Sequence, residues 1–183
     1  MKKTLFFITI VFTLLLMGNV CYANEDLGNA IYTDIVTYIN HVPIQSHNFN
    51  GKTLIVAEDL THFGFDVKWN EYKRTLTITR NKNTNTINIP FVTCPTNDEI
   101  GKKEFTVTTT DVEVYTGNYK YSSYGGIAGY TLIDINDLAC IDNVSIVWVP
   151  EVRALKIWIE DGLEMHNSMI RPIWKRYSLM IVI

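Results

Sequence analysis

Gly51-Lys52-Thr53-Leu54-Ile55-Val56-Ala57-Glu58-Asp59-Leu60 recurs 78 residues later as Gly129-Tyr130-Thr131-Leu132-Ile133-Asp134-Ile135-Asn136-Asp137-Leu138. Gly, Thr-Leu-Ile and Asp-Leu hold the same places in both. Farther along, Trp69 answers to Trp148, Arg74 to Arg153, Leu76 to Leu155 and Ile78 to Ile157, now at an offset of 79. The second copy therefore gains one residue between Leu138 and Trp148. Self-similarity at a fixed period governs the architecture before any local reading, because each copy is one structural unit.

Inside a copy, hydrophobic periodicity marks the elements. Ile31 to Ile39 is rich in β-branched and aromatic residues and reads as a strand. Asn40-His41 reads as a tight turn into Val42-Pro43-Ile44, where Pro43 places that strand at a sheet edge. Residues 24–30 read as a polar, frayed start and Ser46 to Gly51 as a loop. Lys52 to Val56 is a strand that leads into a short helix over Ala57 to Phe63, with Glu58 and Asp59 at its positive end and Gly64 as its cap. Phe65-Asp66-Val67-Lys68-Trp69 alternates strictly, which places Phe65, Val67 and Trp69 on one face. A polar turn returns the chain through Arg74 to Arg80.

The second copy repeats this order from Phe105, with Lys120 to Gly126 as a loop. A helix follows over Asn136 to Ile141, with Asp137 standing where Asp59 stands. Asp142-Asn143 replaces the Gly cap, and a closing hairpin turns at Pro150-Glu151. The predicted organisation is residues 1–23 as signal peptide, 24–80 as repeat 1, 81–104 as connector, 105–162 as repeat 2 and 163–183 as tail. Ile87 to Val92 reads as one further strand in the connector. The predicted fold class is α+β: two pseudo-repeats, each a small antiparallel sheet packed on one short helix. The expected repeat core is Leu54, Leu60, Trp69 and Leu76 with their counterparts Leu132, Leu138, Trp148 and Leu155.

The first 23 residues have the form of a secretory signal. Lys2 and Lys3 precede an apolar run from Leu5 to Met17, and Cys21-Tyr22-Ala23 puts small residues where a cleavage before Asn24 needs them. Cleavage predicts export, to the medium or the cell envelope, and no stable membrane insertion afterwards. Without Lys2 and Lys3 the remainder has 14 basic residues against 19 acidic ones, a net charge of −5. That balance argues against a nucleic-acid partner, which clustered Lys and Arg would attract. Cys94 and Cys140 either form a disulfide, which export permits, or remain two separate thiols. In the tail, Arg171, Lys175 and Arg176 lie beside Ile173, Trp174 and Tyr177. That pattern fits either contact with a membrane surface or a terminal strand or disordered tail.

Each copy resembles the stalk-type repeat of the copper amine oxidase N-terminal domain family of secreted bacterial proteins. Gly51, Thr53, Leu54, Ile55, Leu60, Gly64, Val67, Trp69, Arg74, Leu76 and Ile78 carry the likeness in copy one. Gly129, Thr131, Leu132, Ile133, Leu138, Ile146, Trp148, Arg153, Leu155 and Ile157 carry it in copy two. The family's Pro-Leu-Arg step is absent, since Val56-Ala57-Glu58 and Asp134-Ile135-Asn136 stand there. The resemblance implies a fold and an envelope role, without copper, quinone or any other cofactor.

Catalytic patterns are weak. His41, His47, His62 and His166 are scattered, with no His-x-His, and read as loop residues. Asn118-Tyr119-Lys120 has the wrong third residue for a tyrosine-derived quinone. Gly125-Gly126 and Gly129 lack the Lys-Ser/Thr of a phosphate loop. Asp59 and Asp137 recur at both helix starts, as capping residues would. Tyr115, Tyr119, Tyr121, Tyr124 and Tyr130 crowd one region and either contact a sugar or protein ligand or cover the sheet. The function expected from the sequence is a non-catalytic binding or spacer module that contacts wall polymer or a surface protein. The alternatives are a small envelope hydrolase using Asp134 or Asp137, and an inhibitor or prodomain-like partner of another secreted protein.

Overall fold

The structure, a computed structural model, describes residues 24–81 and 92–159. The segment read as a signal peptide, the strand read over Ile87 to Val92 except Val92 itself, and the tail from 163 lie outside the described residues.

Copy one supplies β1 (Asp26–Ile31), β2 (Val36–Ile39), β3 (Val42–Ile44), β4 (His47–Phe49), β5 (Lys52–Val56), β6 (Phe65–Asn70) and β7 (Thr75–Arg80). Copy two supplies β8 (Lys103–Thr108), β9 (Glu113–Thr116), β10 (Tyr119–Lys120), β11 (Ser123–Ile127), β12 (Tyr130–Asp134), β13 (Val144–Val149) and β14 (Ala154–Ile159) in the same order. A 3-10 helix, Glu58–Phe63, follows β5, and its counterpart, Ile135–Cys140, follows β12.

The fold is therefore a β fold, which corrects the α+β expectation. Each helical segment has only six residues. An isolated α-helix needs about 12–15 residues to be even marginal in water, and the tighter 3-10 geometry occurs in short runs. Leu60, Phe63, Ile135 and Leu138 anchor these turns by burial, so the turns fill gaps between sheets rather than form a layer. Three further segments read as loop or frayed chain are strands: β1, β4 and β11. The segment read as one strand over 31–39 is broken after Ile31, so that its two parts join different sheets.

Neither copy keeps its own sheet. Strands β1, β4 and β5 of copy one and β8, β11 and β12 of copy two close a six-stranded barrel in the order β1-β4-β5-β12-β11-β8. The two seams between the copies are β5–β12 and β1–β8. At the first, Ile55 pairs with Ile133, its own counterpart at offset 78. At the second, Asn29 pairs with Thr106, at offset 77. Residues that pair with their own counterparts mark a pseudo-two-fold axis through the barrel.

The flanking hairpins are exchanged across that axis. Hairpin β2–β3 leaves copy one and pairs β2 in parallel with β14, giving the sheet β13-β14-β2-β3. Hairpin β9–β10 leaves copy two and pairs β9 in parallel with β7, giving β10-β9-β7-β6. Pro43 lies on edge strand β3, as its missing N–H requires. Asn40 and His41 both have positive φ, 47° and 70°, the geometry of a type I′ hairpin turn.

The junctions match in detail. Arg153 and Arg74 both adopt the left-handed conformation, with φ of 46° and 50°. The Arg153 carbonyl accepts from Val36 N–H at 3.1 Å and the Arg74 carbonyl from Glu113 N–H at 3.0 Å. Arg153 Nε lies 2.6 Å from Asp34 Oδ2, and Arg74 makes the equivalent fork to Asp111, with Nη2 donating to Oδ1 at 2.7 Å. Both aspartates therefore sit below the ordinary carboxylate range, chiefly through these hydrogen bonds. Thr33 and Thr110 hydroxyls each accept from the N–H two residues on, at 3.1 Å in both copies. These exposed pairs fix register more than they add stability.

Two cores result. Ala30, Phe49, Leu54, Val56, Val107 and Leu132 fill the barrel. A larger core lies between the barrel and the flanking sheets and gathers Ile39, Ile55, Leu60, Phe65, Leu76, Ile78, Ile133, Leu138, Leu155 and Ile157. Of the eight expected repeat-core residues, Leu54, Leu60, Leu76, Leu132, Leu138 and Leu155 are buried. Trp69 and Trp148 are not: 48% and 44% of their surface is exposed. They pair with Leu76 and Leu155 on edge strands β6 and β13, where no further strand covers the outer side of the ring. Their places in the two sheets correspond, each across from its leucine on an edge strand.

Candidate functional site

The five tyrosines of copy two do not form one platform. Tyr115 lies on β9, where its hydroxyl donates to Glu113 Oε2 at 2.6 Å beside Lys120 Nζ, 2.5 Å from Oε1. Tyr121 is only 2% exposed and shares a 2.6 Å hydrogen bond with Thr116. Burial pushes its hydroxyl up to about 12. Tyr119 meets Tyr121 edge-on at 5.4 Å between ring centroids and donates to Asp137 Oδ1 at 3.2 Å. Its hydroxyl also rises to about 12, first through a hydrogen bond with Cys140 and then through the Asp137 charge. Tyr124 accepts from Lys52 Nζ at 2.8 Å and packs edge-on against Phe49. Tyr130, half exposed, starts β12. Only Tyr119 and Tyr121 are in ring contact with each other, and Tyr115 and Tyr124 have separate partners.

The acids expected as helix caps divide the work differently. Asp134, the residue before the second helix, is the cap: its Oδ1 accepts from Asn136 N–H at 3.0 Å. Asp137 instead holds the incoming chain, accepting from Ser122 N–H at 3.0 Å as well as from Tyr119. No side chain caps the first helix; Gly64 ends it in the left-handed conformation, its N–H donating to Leu60 O. Glu58 reaches across the β5–β12 seam, where both its carboxylate oxygens accept from Thr131 N–H at 3.2 Å.

Burial raises the Glu58 carboxyl above its ordinary range, against the lowering effect of these hydrogen bonds. A raised carboxylate disfavours the ionised fold, so the cost is present above its folded pKa and disappears below the ordinary value of 4.5. Glu58→Gln keeps an acceptor for Thr131. It is expected to raise the melting temperature relative to wild type at pH 7, with the gain gone below pH 4, as thermal unfolding across pH would read.

His47, a loop residue by sequence, is instead buried in β4, 5% exposed, with Nδ1 2.9 Å from Glu104 Oε1. Its ring stands edge-on to Phe105 at 5.0 Å. Among the described residues no three His, Cys, Asp or Glu side chains gather as a metal site would need. Cys94 and Cys140 are both free and exposed, so the disulfide alternative is not realised. No helix among the described residues is long and apolar enough to cross a membrane.

The duplication itself reveals a different surface. The outer faces of the two flanking sheets occupy equivalent positions and can be compared residue by residue. Across β6, β7, β9 and β10, one row reads Lys68, Thr77, Tyr115, Lys120, and the next reads Asn70, Thr75, Glu113. The equivalent rows across β13, β14, β2 and β3 read Val147, Lys156, Tyr38, Pro43 and Val149, Ala154, Val36. In the third row Asp66 and Thr79 give way to Ser145 and Trp158. One face is polar, as a solvated sheet should be. The other is apolar and aromatic, with Val147 exposed on it and Val152 exposed beside it.

A groove of about 290 Å³ runs over this second face, lined by Val36, Tyr38, His41, Val152, Lys156 and Trp158 among others. His41, carried by the β2–β3 turn, braces the Trp158 indole edge-on at 4.5 Å and 83°. Sequence reasoning passed over Tyr38, His41, Lys156 and Trp158. For His41, Lys156 and Trp158 the signal was in the alignment of the copies at offsets of 77 and 79, where Asn118, Thr77 and Thr79 stand in their places; Tyr38 matches Tyr115 and gave no such signal.

Compared with protein-family models, curated proteins and solved structures, the chain finds no match. Nothing in those comparisons identifies the copper amine oxidase N-terminal family. The resemblance therefore remains a matter of the repeat residues themselves.

Proposed function

We propose that the protein is an exported, non-catalytic binding module of the cell envelope, and that its contact surface is the outer face of β13-β14-β2-β3. One observation carries this reading: the face is apolar and aromatic where its pseudo-symmetric twin is polar. Two faces of one duplicated scaffold meet the same folding demands. Apolar groups left in water on only one of them add nothing to the fold, and such patches on soluble proteins mark contact sites. Asp134 and Asp137, the acids a hydrolase would use, are engaged with backbone N–H groups, which supports structural roles for them.

The test exchanges residues between the faces. Val36→Glu, Val147→Lys and Trp158→Thr together install the twin's residues, which the fold already carries at Glu113, Lys68 and Thr79. The exported protein should be retained on purified cell wall, or capture a secreted protein, and the triple variant should lose that retention while melting normally. Retention of the variant equal to wild type, or no retention of either, would refute the reading and leave a spacer.

A further inference from the structure

The groove over β2 and β14 has a chemistry more specific than an apolar patch. Tyr38 and Trp158 lie on either side of Lys156 in the sheet, since Tyr38 pairs with Lys156, and Trp158 follows Lys156 by two residues on the same face of β14. Four polar groups accompany this apolar surface: the Tyr38 hydroxyl, the Trp158 indole N–H, the Lys156 ammonium and the His41 ring nitrogens. Among the described residues no carboxylate lines the groove. Of the acids near it in sequence, Asp34 is paired with Arg153, and Glu151 precedes the lining residue Val152. A chain with a net charge of −3 thus keeps a small aromatic hollow that Lys156 lines with its ammonium group. The twin face has no tryptophan and sets Glu113 in the place of Val36.

We propose that this groove is a subsite for an anionic polysaccharide, with one sugar ring against Trp158 and Tyr38 and its acid group on Lys156. The inference rests on the binding-module reading above and names its ligand. A sugar ring has an apolar C–H face and a rim of hydroxyls. It is recognised by a flat amphipathic side chain with hydrogen-bonding groups around it, which Tyr and Trp supply at low entropic cost. A protein partner fits less well by area. Strands spaced about 4.8 Å apart and rising about 3.3 Å per residue give this face roughly 15 Å by 15 Å. That is on the order of 200–250 Å², against the ~800 Å² per partner of a stable protein interface. Pairing of the acid group with Lys156 at an exposed site is screened by salt, so affinity should fall as ionic strength rises.

Titration calorimetry of the exported protein tests this with three probes: polygalacturonate as a carboxylate polymer, wall teichoic acid as a phosphate polymer, and dextran as a neutral one. At least one acidic polymer should bind, at least tenfold more tightly than dextran and more weakly in 0.5 M salt. Trp158→Ala and Lys156→Gln should each weaken it at least tenfold, with melting temperatures within a few degrees of wild type. Thr79→Ala, at the equivalent place on the twin face, should change nothing. The inference is overturned if neither acidic polymer binds, or if either binds Trp158→Ala and Lys156→Gln as tightly as wild type. Capture of a secreted protein, lost in the triple exchange, with no acidic polymer bound would overturn the ligand and leave the contact surface standing. No binding of any kind would remove both.

Discussion

Ile133→Ala is expected to lower the unfolding free energy by about 3–4 kcal/mol, the cost of removing a fully buried branched side chain and leaving its cavity. Ile133 is fully buried on β12 and projects out of the barrel into the larger core, opposite its counterpart Ile55 on β5. The pair lies on the pseudo-two-fold axis, where barrel and flanking sheets share one wall. Collapse around the lost atoms is therefore opposed from two sides, by the barrel filling of Leu54, Val56 and Leu132 and by Leu60 and Leu138. Ile55→Ala should cost a similar amount. The two changes together should cost measurably less or more than their sum, because directly opposed cross-strand residues couple. Chemical denaturation of the four proteins reads all of this, and unfolding should remain a single transition because the exchanged hairpins tie both copies together.

Gly126→Ala is expected to cost about 3 kcal/mol through a different cause. Gly126 has φ of 146°, a conformation that side chains rarely adopt, and a Cβ built there would lie 2.7 Å from the Thr106 backbone carbonyl and 3.1 Å from the Phe105 ring. A strained backbone costs of order 1–3 kcal/mol, and the clash is with main chain that cannot rotate away. The glycine lets β11 come close enough to β8 to close the barrel. Gly51→Ala, where an added Cβ meets nothing, should show the backbone cost alone and lose less. Paired melting curves of the two variants separate strain from steric closure.

The repeat was legible because burial is written in both copies. Thr-Leu-Ile, Asp-Leu, Leu76 and Leu155 recur since each position faces the same kind of interior. Topology was less legible. Parallel pairing of Leu76 with Val114 and of Leu155 with Thr37 joins residues 38 and 118 positions apart. Nothing in a strand's alternation says which neighbour it will take. A hairpin held in its own copy and one passed to the other have identical local patterns. The helix type is not legible because Leu60 and Phe63, three apart, satisfy a 3-10 turn as well as an α-helix. Trp69 and Trp148 had the parity of core residues; that a strand lies at an edge is a fact of sheet order, which parity does not encode. Most of the groove residues were readable only as differences: Thr79 against Trp158, Glu113 against Val36, Thr77 against Lys156. A repeat draws attention to what is shared, and here the chemistry stands where the copies depart from each other.

Hairpin exchange is the claim on which the rest depends. Nuclear Overhauser contacts between assigned side chains distinguish it directly, because the two pairings predict different partners for the same residues. Exchange predicts that the Leu76 methyls lie beside Val114 and the Leu155 methyls beside Thr37, with Ile55 opposite Ile133. Contacts of Leu76 with Thr37 and of Leu155 with Val114 would mean that each copy keeps its own hairpin, and would contradict the fold, the pseudo-two-fold axis and the groove built between β2 and β14.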